Sequence, residues 1–219
     1  MRPTHLWQEG GPATRSSKQT PGVAVPQSFT DSVIRMLGEG RQQSGPPANW
    51  RALEDELRVR LPDDYKEIVG KYAPVQLNVH LYLDHPSTRR WNLRDWMMQT
   101  IQAFSHSDLQ DLKRRGFPDS PFGAPSGLIP LLDTDRGENL FGIADADTGG
   151  WRLFSCDGGE ALYHEYDMSF SEWLHRYLVG EDMFGPGSGV FYAGPIVFES
   201  RPMSETEPMT SWEGPERGM

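Results

Sequence analysis

The chain has 219 residues, and its 31 acidic and 21 basic side chains give a formal net charge of -10 at pH 7. A charge of this sign repels nucleic acid and anionic membrane surfaces, so neither is expected as a partner. No segment reaches the roughly 20 consecutive apolar residues of a membrane helix, and the N-terminus lacks a signal-peptide core. Cys156 is the single cysteine, which excludes an intramolecular disulfide and fits a reducing compartment. We therefore expect a cytoplasmic protein.

The N-terminal part of the chain divides into a polar segment and a short helix. Residues 1–28 combine Gly and Pro with Ser, Thr and Gln, and such segments bury too little apolar surface to offset chain entropy. We expect this segment to be a flexible tail. Apolar residues then recur at helical spacing over residues 29–37, before Gly38, which predicts the first helix.

The most informative stretch of the chain begins at Trp50. Trp50, Leu53 and Leu57 recur at helical spacing after Asn49, which can cap the helix. Pro62 stands where the next helix begins, a position at which its fixed φ and missing N–H are tolerated. The second helix has one apolar stripe, made of Tyr65, Ile68, Val69 and Tyr72. Both predicted helices present an apolar face to a core and no pattern of residues that indicates catalysis.

The middle of the chain alternates between strand and helix patterns. Residues 75–83 alternate between apolar and polar side chains, which predicts one half-buried strand. Residues 92–115 have the helical period and predict one or two helices. Four short strands then follow between Asp- and Gly-rich turns, at residues 128–132, 140–144, 151–155 and 162–166. This spacing is typical of an antiparallel meander.

A closing helix follows the last strand of the meander. Ser169 and Glu172 have the spacing of a capping box, and Gly180 is placed to end the helix. Trp173 belongs to a continuous apolar stripe on this helix, which can cover the strands. The stripe is formed by Phe170, Trp173, Leu174, Tyr177 and Leu178.

The residues beyond this helix divide into two parts. Residues 186–199 could add an edge strand, although Pro195 cannot donate a hydrogen bond to a ladder. Residues 200–219 are again polar and are expected to be a second flexible tail. A single domain is therefore predicted over residues 29–185. Its class is α+β, with a mainly antiparallel sheet of about five to six strands packed against N-terminal helices and a closing C-terminal helix.

Four motifs occur in a characteristic order along this domain. They are the Trp-x2-Leu-Glu entry at 50–54, the Leu-Pro-x-Asp-Tyr-Lys corner at 61–66, the Gly-Leu-Ile-Pro-Leu-x-Asp-Thr-Asp run at 127–135, and an aromatic, acidic strand leading into the closing helix at 163–178. Trp50, Leu53, Leu61, Pro62, Tyr65, Tyr72 and Trp173 carry the pattern. The arrangement resembles the SUKH superfamily, which includes fungal SMI/KNR-type regulators and bacterial immunity proteins. One difference is that Ala73 and Pro74 follow Tyr72, where such proteins usually have glycine.

The resemblance implies a function without catalysis. Bacterial SUKH-type proteins typically bind and neutralise a toxin domain, commonly a nuclease or a nucleic-acid deaminase, and such toxins are often basic. The resemblance therefore implies a protein-binding domain with a cognate toxin domain as its partner and no cofactor. The fungal relatives imply the alternative of a regulatory scaffold that gathers several partners.

Acidic residues are concentrated in the second half of the domain. Residues 127–185 contain 12 acidic and 3 basic residues, whereas the rest of the chain has 19 and 18. An acidic surface speeds encounter with a basic partner, although a negative balance also serves solubility. The candidate partner-binding residues stand in the turns and beside the closing helix: Asp133, Asp135, Glu138, Asp145, Asp147, Glu165 and Asp167.

Several of these residues and their neighbours begin metal-binding or catalytic motifs, but none completes one. A calcium loop starting at Asp133 would have Gly137 at its fifth place and Ala144 at its twelfth, so it fails. His164 and Glu165 begin like a zinc-protease helix, but the second histidine of that motif is missing. Cys156 and His164 could act as nucleophile and base if the fold brought them together, which leaves a Cys/His hydrolase as the enzymatic alternative. A buried packing cysteine is favoured, so we expect no catalytic residue and no metal.

Overall fold

The part of the chain that the structure describes contains five helices and eight strands. A computed structural model describes residues 28–38, 47–106, 113, 118–123, 125–145, 149–156, 163–185, 187–189 and 194–214. The helices are α1 (Phe29–Leu37), α2 (Trp50–Leu57), α3 (Asp63–Tyr72), α4 (Leu93–Ser105) and α5 (Phe170–Leu178). The strands are β1 (Val75–Leu77), β2 (Leu81–Leu83), β3 (Ile129–Thr134), β4 (Asn139–Ala144), β5 (Trp151–Cys156), β6 (Tyr163–Tyr166), β7 (Val197–Ser200) and β8 (Ser211–Glu213).

The helices begin at the caps that the sequence predicts. The side chain of Asn49 accepts a hydrogen bond from the Ala52 amide at the start of α2, and that of Ser169 accepts one from the Glu172 amide at the start of α5. These bonds satisfy amide groups that have no partner within the helix. Pro62 lies one position earlier than predicted, as the cap residue of α3. The α2–α3 corner is therefore set by local sequence.

All eight strands form one antiparallel sheet in the order β6-β5-β4-β3-β2-β1-β7-β8. The α+β class and the meander are confirmed, but the sheet has more strands than the predicted five to six. One reason is that residues 75–83 form a hairpin, β1 and β2, with Leu77 opposite Leu81. Three residues form the turn, so the odd positions of both strands are buried, while Val79 in the turn is exposed. The pattern alone could not reveal the turn.

The other two strands come from the C-terminal part of the chain. β7 pairs with β1 and therefore lies inside the sheet instead of at its edge, and β8 then pairs with β7. The rings of Phe198 and Trp212 stack with centroids 5.3 Å apart across this pair. Residues 200–214 thus contribute a strand where a tail is expected, because long-range aromatic contacts hold a segment that is locally polar. Residues 1–27 and 215–219 of the predicted tails lie outside the described residues.

Helices α1, α3 and α5 cover one face of the sheet, where the main core lies. Trp173, Tyr65 and Tyr72 are fully buried or nearly so. The Tyr65 hydroxyl donates to the Leu131 carbonyl oxygen at 2.8 Å and the Tyr72 hydroxyl to the Gly38 carbonyl oxygen at 2.8 Å, so each buried hydroxyl has a partner. A second core cluster, with Phe141 at its centre, lies on the opposite face of β4. Among the described residues, no helix is long and apolar enough to cross a membrane.

Candidate functional site

The topology divides the candidate acidic residues between the two ends of the sheet. Asp135 lies in the β3–β4 turn and Asp145 at the β4–β5 turn, and these turns are at opposite ends of β4. Asp167 follows β6, which runs antiparallel to β5, and so lies at the same end as Asp145. Asp147 lies outside the described residues. The expected acidic surface is therefore not one continuous face.

Two of the candidates point into the domain. Asp133 lies within β3 opposite Tyr82, and its carboxylate accepts a hydrogen bond from the Trp96 indole N–H at 3.1 Å. Glu138 is buried, and the Thr134 hydroxyl donates to its carboxylate. Both were expected as turn residues that contact a partner. Their side chains instead make contacts within the domain, and the pairing of β3 with β2 directs that of Asp133 there.

Two further candidates are exposed and have polar partners at the surface. Asp135 contacts the imidazole Nδ1 of His80. Glu165, on β6, accepts a hydrogen bond from the Arg152 guanidinium at 2.6 Å. Exposed pairs of this kind contribute little to stability and exchange readily with water or with another charged group. Both residues therefore remain accessible to a partner.

A concave feature near the candidates is a cleft at the Asp145 end of the sheet, with a volume of about 640 Å³. It is lined by residues 59–64, 144–145, 149–151 and 167–170. These residues belong to the α2–α3 corner, to the two sides of the β4–β5 turn and to the link between β6 and α5. We call this feature the acidic cleft, because four carboxylates and one cationic side chain line it: Asp63, Asp64, Asp145, Asp167 and Arg60.

Asp64 ties two walls of the acidic cleft together. One of its carboxylate oxygens accepts a hydrogen bond from the Ser171 amide at 2.7 Å, in the first turn of α5. A negative charge is favourable there, because the N-terminal end of a helix is electropositive. Asp63 bonds to Lys66, and this hydrogen bond holds the pKa of the Asp63 carboxyl below its usual range. Asp63 is therefore ionised at neutral pH.

The floor of the cleft is apolar. Leu61 and Phe170 are buried beneath it, and Trp151 lies along one side, half-buried. Gly142 makes room for this tryptophan, since an added Cβ would lie 2.7 Å from the Trp151 ring. A carboxylate rim over an apolar floor is suited to the stem and head of a long cationic side chain, because such a side chain has both kinds of surface.

The structure does not bring Cys156 and His164 together. Cys156 of β5 stands opposite Tyr163 of β6, and His164 stands opposite Ser155. Since neighbouring residues of a strand point to opposite faces, the Cys156 and His164 side chains lie on different sides of the sheet. Cys156 is also 4% exposed, within the second core cluster. Within the described ranges, no group of three or more His, Cys, Asp or Glu side chains could hold a metal ion.

The sequence patterns missed part of the cleft. Asp63 and Asp64 belong to the corner motif at 61–66, which predicts a structural role, and Arg60 precedes it. Only the fold shows that this corner and the β4–β5 turn line one cleft. The available signal is two consecutive aspartates after Pro62, although the dipole of α3 also favours carboxylates in its first turn.

Comparison with known proteins identifies the domain that carries this cleft. The family model described as SMI1 / KNR4 family (SUKH-1) matches residues 46–176, which is more than half of the chain and includes every residue that lines the cleft. No curated protein and no solved structure matched the chain significantly. The family match confirms the SUKH resemblance of the four motifs. The chain therefore belongs to the SMI1 / KNR4 family (SUKH-1).

Proposed function

We propose that this protein is an immunity protein without enzymatic activity, which binds and neutralises a basic, nucleic-acid-targeting toxin domain through its acidic cleft. The observation that supports the proposal most strongly is the composition of the cleft, with four carboxylates and one arginine at the junction of three chain segments. Membership of the family supports a protein as the kind of partner.

Charge complementarity accounts for recognition in this proposal. A toxin that acts on nucleic acid needs a positive groove, because phosphate contacts dominate nucleic-acid affinity. The acidic cleft presents the opposite sign, which raises the association rate and disfavours acidic competitors. The partner inserts an arginine or lysine into the cleft, so that its charge faces the carboxylates and its stem covers the apolar floor.

Neutralisation then follows from occupancy. A bound acidic domain covers the groove that the toxin uses for its substrate and repels the phosphates that approach it. No bond is formed or broken in this mechanism. Asp145 and Asp167 are the central contacts, and Asp147 follows Asp145 by two positions in the sequence. Asp135 and Glu165 are accessible elsewhere on the surface and contribute to long-range attraction.

The experiment is a capture of partners from a lysate of the source organism by the tagged protein, at low and at moderate salt. We expect one basic toxin-domain protein in near-equal amount, with a yield that falls as salt rises because screening weakens exposed charge pairs. The purified partner should lose its nuclease or deaminase activity on addition of one equivalent of this protein.

Charge reversal tests the site separately from the function. The pair Asp145→Lys and Asp167→Lys should abolish capture and inhibition. The matched control is Glu205→Lys with Glu213→Lys, which makes the same change in net charge at exposed positions of the C-terminal segment. The site assignment is wrong if the two double variants behave alike. Many partners at trace level would replace the immunity proposal with the scaffold alternative, and capture of no partner would contradict both.

A further inference from the structure

Arg201, which is largely buried, joins the C-terminal segment to the family domain, residues 46–176. The guanidinium carbon of Arg201 lies 3.6 Å from the centroid of the Trp91 ring and 4.4 Å from that of the Tyr82 ring. The same guanidinium forms an ion pair with Asp84. The side chains of Arg201 and Asp84 are only 14% and 10% exposed. Two aromatic rings and a carboxylate therefore surround one cation away from bulk water.

The groups around the Arg201 guanidinium all belong to the family domain, whereas Arg201 itself lies outside it. Tyr82, Asp84, Trp91 and Asp133 lie within residues 46–176, and Arg201 lies 25 positions beyond that range. Backbone contacts fix the segment on either side of the arginine. The Arg201 amide donates to the Pro74 carbonyl oxygen, and the Trp91 indole N–H donates to the Pro202 carbonyl oxygen at 2.8 Å. The Arg201 side chain thus occupies a pocket that is formed by residues of the family domain.

The carboxylates near Arg201 outnumber its single positive charge. Asp133 lies close enough to both Asp84 and Arg201 to interact electrostatically with each of them. Two partly buried carboxylates therefore face one guanidinium. Burial, followed by the nearby Asp84 charge, raises the pKa of Asp133 to about 7 although Arg201 opposes the shift.

The geometry selects a guanidinium over an ammonium group. A guanidinium is planar and weakly hydrated, so it can lie on aromatic faces while its N–H groups bond to a carboxylate. An ammonium is a compact, strongly hydrated charge, and it loses more hydration in a site of this kind. The two rings and Asp84 offer this combination of flat faces and an acceptor.

We propose that Tyr82, Asp84, Trp91 and Asp133 form a guanidinium-binding site of the domain, which the chain fills with its own Arg201 and which accepts a guanidinium from another molecule when that side chain is absent. The site shares no residue with the acidic cleft. Its occupancy by Arg201 fastens β7 and β8 to the family domain, so loss of the ligand loosens the segment after β7.

The experiment is chemical rescue of the full-length variant Arg201→Ala. Its melting temperature should fall by several degrees, and millimolar methylguanidinium should restore it in a saturable way by about 3 °C, which is the expected scale for a ligand that binds only the folded state. Methylammonium at the same concentration should restore less than a third of that shift. The wild-type protein should show no shift, because Arg201 already occupies the site.

Matched variants make the result specific to this site. Arg176→Ala removes an exposed arginine that pairs with Glu172, and methylguanidinium should not change its melting temperature. The double variant Arg201→Ala with Asp84→Asn should lose the rescue. If Arg201→Ala does not fold alone, recovery of soluble protein on refolding with methylguanidinium replaces the melting measurement. The proposal is overturned by equal rescue with methylammonium, by equal rescue of Arg176→Ala, or by no rescue and no recovery.

Discussion

The acidic cleft and the guanidinium-binding site each gather several carboxylates around one arginine, yet they have opposite physical roles. In the cleft, Asp63 and Arg60 are exposed, and the pKa of Asp63 is lowered by its hydrogen bond with Lys66. In the guanidinium-binding site, burial raises the pKa of Asp84 and Asp133. The same excess of negative charge is therefore open to solvent in one place and costs folding free energy in the other.

Burial decides between these roles because it changes the cost of removing a charge from water. An exposed carboxylate keeps its hydration and can exchange it for a partner's cation with little loss. A buried carboxylate must be neutralised by a proton, a hydrogen bond or a fixed cation. Changes to single carboxylates in the two sites should therefore have effects of different sign and size on stability.

The largest effect is expected from Asp133→Asn. The folded-state pKa of Asp133, about 7, lies above the ordinary value of 3.8, so its contribution to stability is fully present below about pH 4 and is lost as the pH rises through 7. Asparagine cannot ionise and still accepts the Trp96 N–H. A tenfold change in proton affinity corresponds to about 1.4 kcal/mol. Because the site is partly open to solvent, which weakens the effect, we expect Asp133→Asn to raise the free energy of unfolding by about 2 kcal/mol at pH 8.

Urea unfolding at several pH values between 5 and 8 measures this gain. The stability difference between Asp133→Asn and the wild type should grow up to pH 7 and then level off. Glu165→Gln is the control, because Glu165 is an exposed carboxylate and its removal should have no such pH dependence. A stability difference that does not change with pH would contradict the role assigned to Asp133.

A smaller effect of the opposite sign is expected from Asp64→Ala. This change removes the acceptor for the Ser171 amide at the start of α5 and the link between two walls of the cleft. Loss of a capping carboxylate should lower the free energy of unfolding by about 1 kcal/mol. Asp64→Asn keeps an acceptor oxygen and should lose less. Thermal unfolding of the two variants separates them, and equal losses would show that charge outweighs the hydrogen bond.

Local sequence patterns predicted most of the fold but not its long-range pairings. Helical spacing and caps placed α2, α3 and α5, and turn residues placed the meander, because these signals act over a few residues. The β7–β8 pair depends on contacts such as Arg201 with Asp84, which are separated by 117 positions. A segment rich in Pro, Ser and Glu has the composition of a tail, and only the folded domain supplies the rings and carboxylate that hold it.

The candidate site was predicted in composition but not in geometry. The excess of acidic residues directs attention to the turns, since charge can be counted without a structure. Strand register decides which carboxylates face solvent, and it places Asp133 inward while Asp135 lies at the far end from Asp145. Register depends on pairing between strands, and the local pattern of polar residues does not predict it.

The smallest effect on stability is expected from Asp167→Asn, which makes it the sharpest test of the contrast between the two sites. Asp167 is exposed on the wall of the acidic cleft, so its replacement should change the free energy of unfolding by less than about 0.5 kcal/mol. Binding to the captured toxin domain should nevertheless weaken about fivefold, mainly through slower association, because a charge at the rim of an interface acts on encounter. Stopped-flow association at two salt concentrations, beside urea unfolding, measures both quantities. If Asp167→Asn destabilises the fold as much as Asp64→Ala does, or leaves association unchanged, the cleft carboxylates serve the structure of the domain and not its partner.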